Sequence, residues 1–132
     1  SVEDAPQMIL GYTIANDATA RDAMTGGPWS RGKSFDSACP LGPWITVDPA
    51  LDVTNLAIRS YLNGEIAQDS STAHMIWNPF ELVSYVSRQM TLLPGDVIAT
   101  GAPAGAQVVH AGDRVEIEIE GIGRLTNPVV RG

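Results

Sequence analysis

Three segments carry residues whose chemistry and spacing suit a reaction site. The first, Gly11 to Asp22 (GYTIANDATARD), holds Asp17, Arg21 and Asp22. Asp17 directly follows an apolar run, Met8 to Ala15, that reads as a buried strand, so its carboxylate can be held at the rim of a core. A hard cation such as Mg²⁺ takes oxygen ligands, usually a carboxylate or two with waters and substrate oxygens. On spacing alone the plainer reading is that Asn16 or Asp17 caps a short helix and that Arg21 and Asp22 are a solvated pair. The second segment, Arg31 to Trp44 (RGKSFDSACPLGPW), contains Lys33, the only lysine of the chain. An ammonium beside a substrate oxygen stabilises an enolate or oxyanion as it forms. A solvated loop lysine is the equal alternative. In the third, Leu92 to Gly105 (LLPGDVIATGAPAG), Thr100 and Gly101 end an expected strand and open a loop of small residues. Such residues let backbone amides approach a ligand closely, and a plain tight turn explains them as well.

Other reactive types have less support. His74 and His110 lack any paired-ligand spacing. Cys39, beside Pro40, reads as a packed small hydrophobe. Glu116, Glu118 and Glu120 share one face of an alternating strand, which reads as solvated.

The elements that must position these groups are mostly strands. After Asp17, Ala18 to Met24 reads as a short helix or helical turn, followed by a long Gly/Pro/Ser-rich loop from Gly26 to Pro43. Asn55 to Leu62 and Glu65 to Gln68 flank Asn63-Gly64, a strong hairpin signal. Asn78-Pro79 supplies an N-cap and a first-turn proline, and Phe80, Val83, Val86 and Met90 form an apolar stripe to about residue 90. Asp96 to Thr100 is expected as a short strand. Val115, Ile117 and Ile119 alternate with charged residues, and Arg124 to Val130 follows a glycine turn. The expected class is α+β, mostly β and mostly antiparallel, with one clear helix over about 79–90.

Composition bounds the rest. The 132 residues suit one domain, and a 44% apolar, 17% charged balance is globular. The net charge of −7 argues against nucleic acid, because phosphate binding needs a basic face. No apolar run approaches the roughly 20 residues of a membrane helix. The lone Cys39 excludes an internal disulfide and suits a reducing compartment, so a cytoplasmic location is expected.

The three segments, in this order, together with the NGE–Q hairpin ending at Gln68 and GDRVEIEIEGIGRLTNPV, resemble the fumarylacetoacetate hydrolase superfamily. The resemblance covers essentially the whole chain. It implies the C-terminal β-sandwich or β-roll domain of that family and a homodimer or higher oligomer. It also implies a divalent ion, Mg²⁺ or sometimes Ca²⁺ or Mn²⁺. The implied substrate is a small keto or dicarboxylic acid, undergoing C–C bond hydrolysis of an acylpyruvate-type diketo acid, decarboxylation or isomerisation, with roles in aromatic-compound catabolism. Residue by residue, Asp17 matches a metal ligand, Lys33 the catalytic lysine and Arg21 a substrate arginine, while Thr100 and Gly101 match the pocket loop. The family's Glu-x-Glu ligand pair and its His/Glu lid precede the matching segment, and SVEDAPQMIL contains neither. Met24 stands where many members have Gln, and Ala102 where many have Thr. The missing pair and lid imply that residues 1–132 are the downstream part of a catalytic domain and bind Mg²⁺ weakly alone. Met24 and Ala102 each remove a polar group that could orient a substrate and, with the missing pair, favour the alternative. The alternative is a non-catalytic family-fold subunit with a role in assembly.

Overall fold

The computed structural model describes residues 1–131. In chain order it contains α1 (Ala5–Met8), β1 (Tyr12–Ala15), 3-10 turns at Arg21–Met24 and Trp29–Gly32, β2 (Leu41–Thr46), β3 (Ala57–Leu62) and β4 (Glu65–Ser71). A 3-10 turn at Thr72–His74, α2 (Pro79–Gln89), β5 (Arg114–Ile119) and β6 (Gly123–Pro128) complete it. Two antiparallel sheets form, a β1–β2 pair and a four-stranded sheet in the order β4-β3-β5-β6. The mostly-β expectation with one clear helix holds. Among the described residues no helix is long and apolar enough to cross a membrane.

The local signals formed as their chemistry requires. Asn78 accepts from the Phe80 and Glu81 amides while Glu81 accepts from the Asn78 amide, a complete capping box at the start of α2. Asn63 and Gly64 both take positive φ, 53° and 91°, as a type I′ hairpin turn demands. The Asn63 side chain also accepts from the Arg114 amide at 2.9 Å, stitching the turn to β5.

Four sequence expectations differ from the structure. The Met8–Ala15 strand begins only at Tyr12, because Pro6 starts a helical turn instead and Met8 and Leu10 point to solvent. Neither Asn16 nor Asp17 caps a helix. Their segment is taken up by distant main chain, with Asn16 N–H donating to Pro40 O, Ala18 N–H to Ala38 O and Ala20 N–H to Gly32 O. The helical turn therefore starts only at Arg21. Asp96–Thr100 makes no ladder; Asp96 instead closes a turn on Leu93. The expected Gly26–Pro43 loop is interrupted by the Trp29–Gly32 turn and runs into β2 at Leu41.

The core lies between β1 and one face of the larger sheet. Ile14 is fully buried among Val53, Leu56, Ile122 and Leu125, with Tyr12, Phe80, Ile117 and Ile119 against them. Strand register defines that face: Leu125 pairs with Ile117, Ile117 with Ser60 and Ser60 with Gln68, so all four project the same way. The opposite face carries Arg124, Glu118, Arg59 and Asp69 in one cross-strand row. Opposite charges thus alternate across the whole sheet on the side away from the core.

Candidate functional site

Asp17 and Lys33 come together although sixteen residues separate them. Lys33 Nζ lies 2.6 Å from Asp17 Oδ1 and donates to Thr19 Oγ1 at 2.7 Å. The side chains are 31% and 53% exposed for Lys33 and Asp17, so the pair is open to a ligand and contributes about 0–1 kcal/mol to folding. Its value lies in placement. Asn16, next to Asp17, donates from Nδ2 to Asn127 Oδ1 at 3.0 Å, fixing the end of β1 to β6. Gly32, next to Lys33, is buried, and a Cβ there would meet Met24 Cγ, Met24 Sδ and Ala20 O at 2.3, 2.6 and 2.7 Å. Only glycine allows the two 3-10 turns to pack this closely. Met24 accordingly serves as packing for Gly32.

Arg21 lies exposed on the first 3-10 turn and, among the described residues, forms no ion pair. Thr100 and Gly101 are exposed in the segment after Leu93, with Gly101 at φ 104°. That segment is tied to β4 by Gln68, whose Nε2 donates to Pro103 O. Among the described residues no hydrogen bond or ion pair joins Thr100 or Gly101 to Asp17 or Lys33. Since Asn127 and Gln68 project from the same sheet face, the Asp17–Lys33 pair stands over the β6 edge and the loop over the β4 edge.

A divalent ion requires more than this donor set supplies. Asp17 offers one carboxylate, already carrying an ammonium on Oδ1, and among the described residues no three His, Cys, Asp or Glu side chains converge. These residues do not by themselves fit a resident Mg²⁺ site, whose dehydration cost is normally offset by more anionic oxygen. The segment Gly27 to Ser34 (GPWSRGKS) satisfies the letter pattern of a phosphate loop. It follows no strand and opens no long helix, so the mechanism behind that pattern is missing.

The remaining reactive types lie elsewhere. Cys39 is exposed, correcting its reading as a packed hydrophobe. The glutamate row is not simply solvated. Glu116 is buried beside Arg114 and Arg124, and Glu118 accepts from Arg124 at 2.6 Å and from the Tyr61 hydroxyl at 2.9 Å. The Arg124 guanidinium, then the Tyr61 hydroxyl, hold the Glu118 carboxyl below its ordinary pKa, and donation to Glu118 raises that of Tyr61. Glu120 accepts from the Ala57 amide. All three glutamates thus have structural partners. Thr19 is a site neighbour that the sequence barely signals. Its only signal there is a hydroxyl two positions after Asp17.

The sequence profile of the family "Fumarylacetoacetate (FAA) hydrolase C-terminal" matches residues 1–130. The chain belongs to this family. The crystal structure of 5-carboxymethyl-2-hydroxymuconate delta-isomerase from Mycobacterium smegmatis superposes with a TM-score of 0.94 at 48% identity, covering 99% of this chain and 52% of that one. The 4-hydroxyphenylacetate degradation bifunctional isomerase/decarboxylase of Salmonella dublin is 44% identical over 98% of this chain and 31% of its own length. Fumarylpyruvate hydrolase from Pseudomonas aeruginosa, solved with Mn²⁺ and pyruvate, is 36% identical with a TM-score of 0.93, covering 100% of this chain and 59% of that one. The chain spans about half the length of the first curated relatives it matches, 53%, 47% and 51%.

Proposed function

We propose that residues 1–132 are the downstream portion of a catalytic domain acting on a small keto or dicarboxylic acid. The reaction is C–C bond hydrolysis of an acylpyruvate-type diketo acid, or the related decarboxylation or isomerisation. The observation that carries this reading is the Lys33 ammonium held between Asp17 Oδ1 and Thr19 Oγ1 at 2.6 and 2.7 Å. An ammonium has three donors, so two anchors leave one N–H to meet a substrate oxygen. There it stabilises the negative charge that develops on an enolate or oxyanion. Arg21 offers its guanidinium to a substrate carboxylate, for which a planar fork is suited. Thr100 and Gly101, on the loop clamped to β4, are the further substrate residues on this reading. A divalent ion, Mg²⁺ or else Ca²⁺ or Mn²⁺, would take Asp17 as one ligand only together with further carboxylates from outside these residues. The Mn²⁺ and pyruvate held by the Pseudomonas relative support both the ion and the keto-acid class. The whole enzyme is a cytoplasmic homodimer or higher oligomer on this reading.

The test is turnover of fumarylpyruvate, oxaloacetate and 5-carboxymethyl-2-hydroxymuconate by the whole protein in Mg²⁺ or Mn²⁺. Lys33→Met should lower kcat by about 10²–10³-fold, the loss expected for one preorganised donor. Turnover of none of the three acids, or full activity in Lys33→Met, overturns the reading. A second reading, a non-catalytic subunit of the family, is favoured by the single-carboxylate donor set among the described residues. It predicts no metal-stimulated turnover under any of these conditions.

A further inference from the structure

From Val97 to Val109 the chain has no helix or strand, and nearly every residue is exposed. Among the described residues a single hydrogen bond reaches into this stretch, from Gln68 Nε2 to Pro103 O at 2.5 Å. Gln68 is itself set in place. Its Oε1 accepts from the Ser60 hydroxyl at 2.7 Å, and Ser60 is buried in the middle of the sheet. The Pro103 carbonyl can only accept, so it takes Nε2 and leaves Oε1 for Ser60, whose hydroxyl donates to it. The contact is supported by shape. A Cβ on Gly105 would lie 3.0 Å from Ala67 O and 3.5 Å from Gln68 Cγ, so the loop backbone rests directly on β4 beside Gln68. A β-bulge between Ser60 and Tyr61 shifts the register there, and Ala67 falls at that irregularity with its carbonyl toward the loop.

We propose that Gln68 is the positioning residue of the Thr100–Gly105 loop. Ser60 anchors the side chain through Oε1, Gln68 Nε2 clamps the Pro103 carbonyl, and the clamp sets where the Thr100 and Gly101 backbone stands over the sheet face. Gln68 touches no substrate on this account. It acts through the loop, and its relevance to turnover rests on the reading of Thr100 and Gly101 as substrate residues.

Gln68→Glu preserves size and still accepts from Ser60, but presents an acceptor to the Pro103 carbonyl where a donor is needed. Gln68→Met removes the donor without adding charge and serves if the glutamate variant does not fold. The primary readout is ¹⁵N relaxation of the chain. Order parameters of Gly101, Ala102, Ala104 and Gly105 should fall from near the rigid value of about 0.85 to below about 0.6, with β3 to β6 unchanged. Unchanged order parameters in a folded variant overturn the proposal. The second readout is fumarylpyruvate turnover by the whole protein, with KM expected to rise about tenfold while kcat stays within about threefold, the pattern of lost substrate positioning. A loosened loop with unchanged KM leaves Gln68 as the clamp and instead removes Thr100 and Gly101 from the substrate site. The two failures are thereby separated.

Discussion

The two sides of the sheet face are built in opposite ways. Over β6, Asp17 and Lys33 are fixed by long-range main-chain bonds at Asn16, Ala18 and Ala20, by the Asn16–Asn127 amide pair and by the close packing of Gly32 on Met24. Over β4, the stretch carrying Thr100 and Gly101 has one side-chain clamp and exposed apolar residues such as Val97 and Val108. On the proposed reading Lys33 meets developing charge, and such a group loses most of its effect when misplaced by an ångström, so rigid support there fits the proposal. If the β4-side stretch contacts substrate as proposed, its sparse anchoring matches the tendency of ligand-binding loops to come from the low-stability end of a fold. The family's range of isomerase, decarboxylase and hydrolase relatives fits that division.

Removing Asp17 should break the contrast most sharply. Asp17→Ala in the whole protein is expected to lower turnover at least about 10³-fold while changing stability by less than about 1 kcal/mol, because the pair is exposed. Parallel kinetics and urea titration check this, and a variant that keeps its activity removes Asp17 from the site. Next in size is a paired measurement of stability. Gly32→Val forces a side chain into Met24 and the Ala20 carbonyl and should cost about 1–3 kcal/mol. Val108→Ser, on the exposed stretch, should stay within about 0.5 kcal/mol. Equal losses at the two positions would mean that both regions are equally built in.

The smallest effect concerns the charged face that backs both regions. Glu118 has its folded pKa depressed by Arg124 and Tyr61, so it contributes stability above the unfolded carboxyl pKa, which is lost as pH falls through the folded value. Urea midpoints of Glu118→Gln and the parent chain should therefore differ at neutral pH and converge on acidification below the ordinary glutamate range. A gap that widens on acidification would reverse the assigned direction.

How much was legible from sequence depended on how locally each feature is encoded. The α2 start was readable because Asn78, Pro79 and Glu81 satisfy the first-turn amides within three residues. The β3–β4 turn was readable because Asn63-Gly64 selects a positive-φ pair on its own. β2 was not, since Gly42 and Pro43 lie inside it and only pairing with β1 makes it a strand. A proline is tolerated there because β2 is an edge. Asp96–Thr100 shows the reverse, a β-rich run that finds no partner among the described residues. Alternation placed Glu116 on a wet face, whereas Arg114 and Arg124 cover it.

The sequence by itself determined the family, the mostly antiparallel class and the single long helix, and it singled out Asp17 and Lys33 as candidate groups. Tertiary structure decided that these two meet, that Thr19 shares the ammonium, and that one amide from Gln68 holds the opposite loop. Local propensity acts over a few residues, while a salt bridge across sixteen positions or a clamp across thirty-five exists only once the sheet has brought its edges into place.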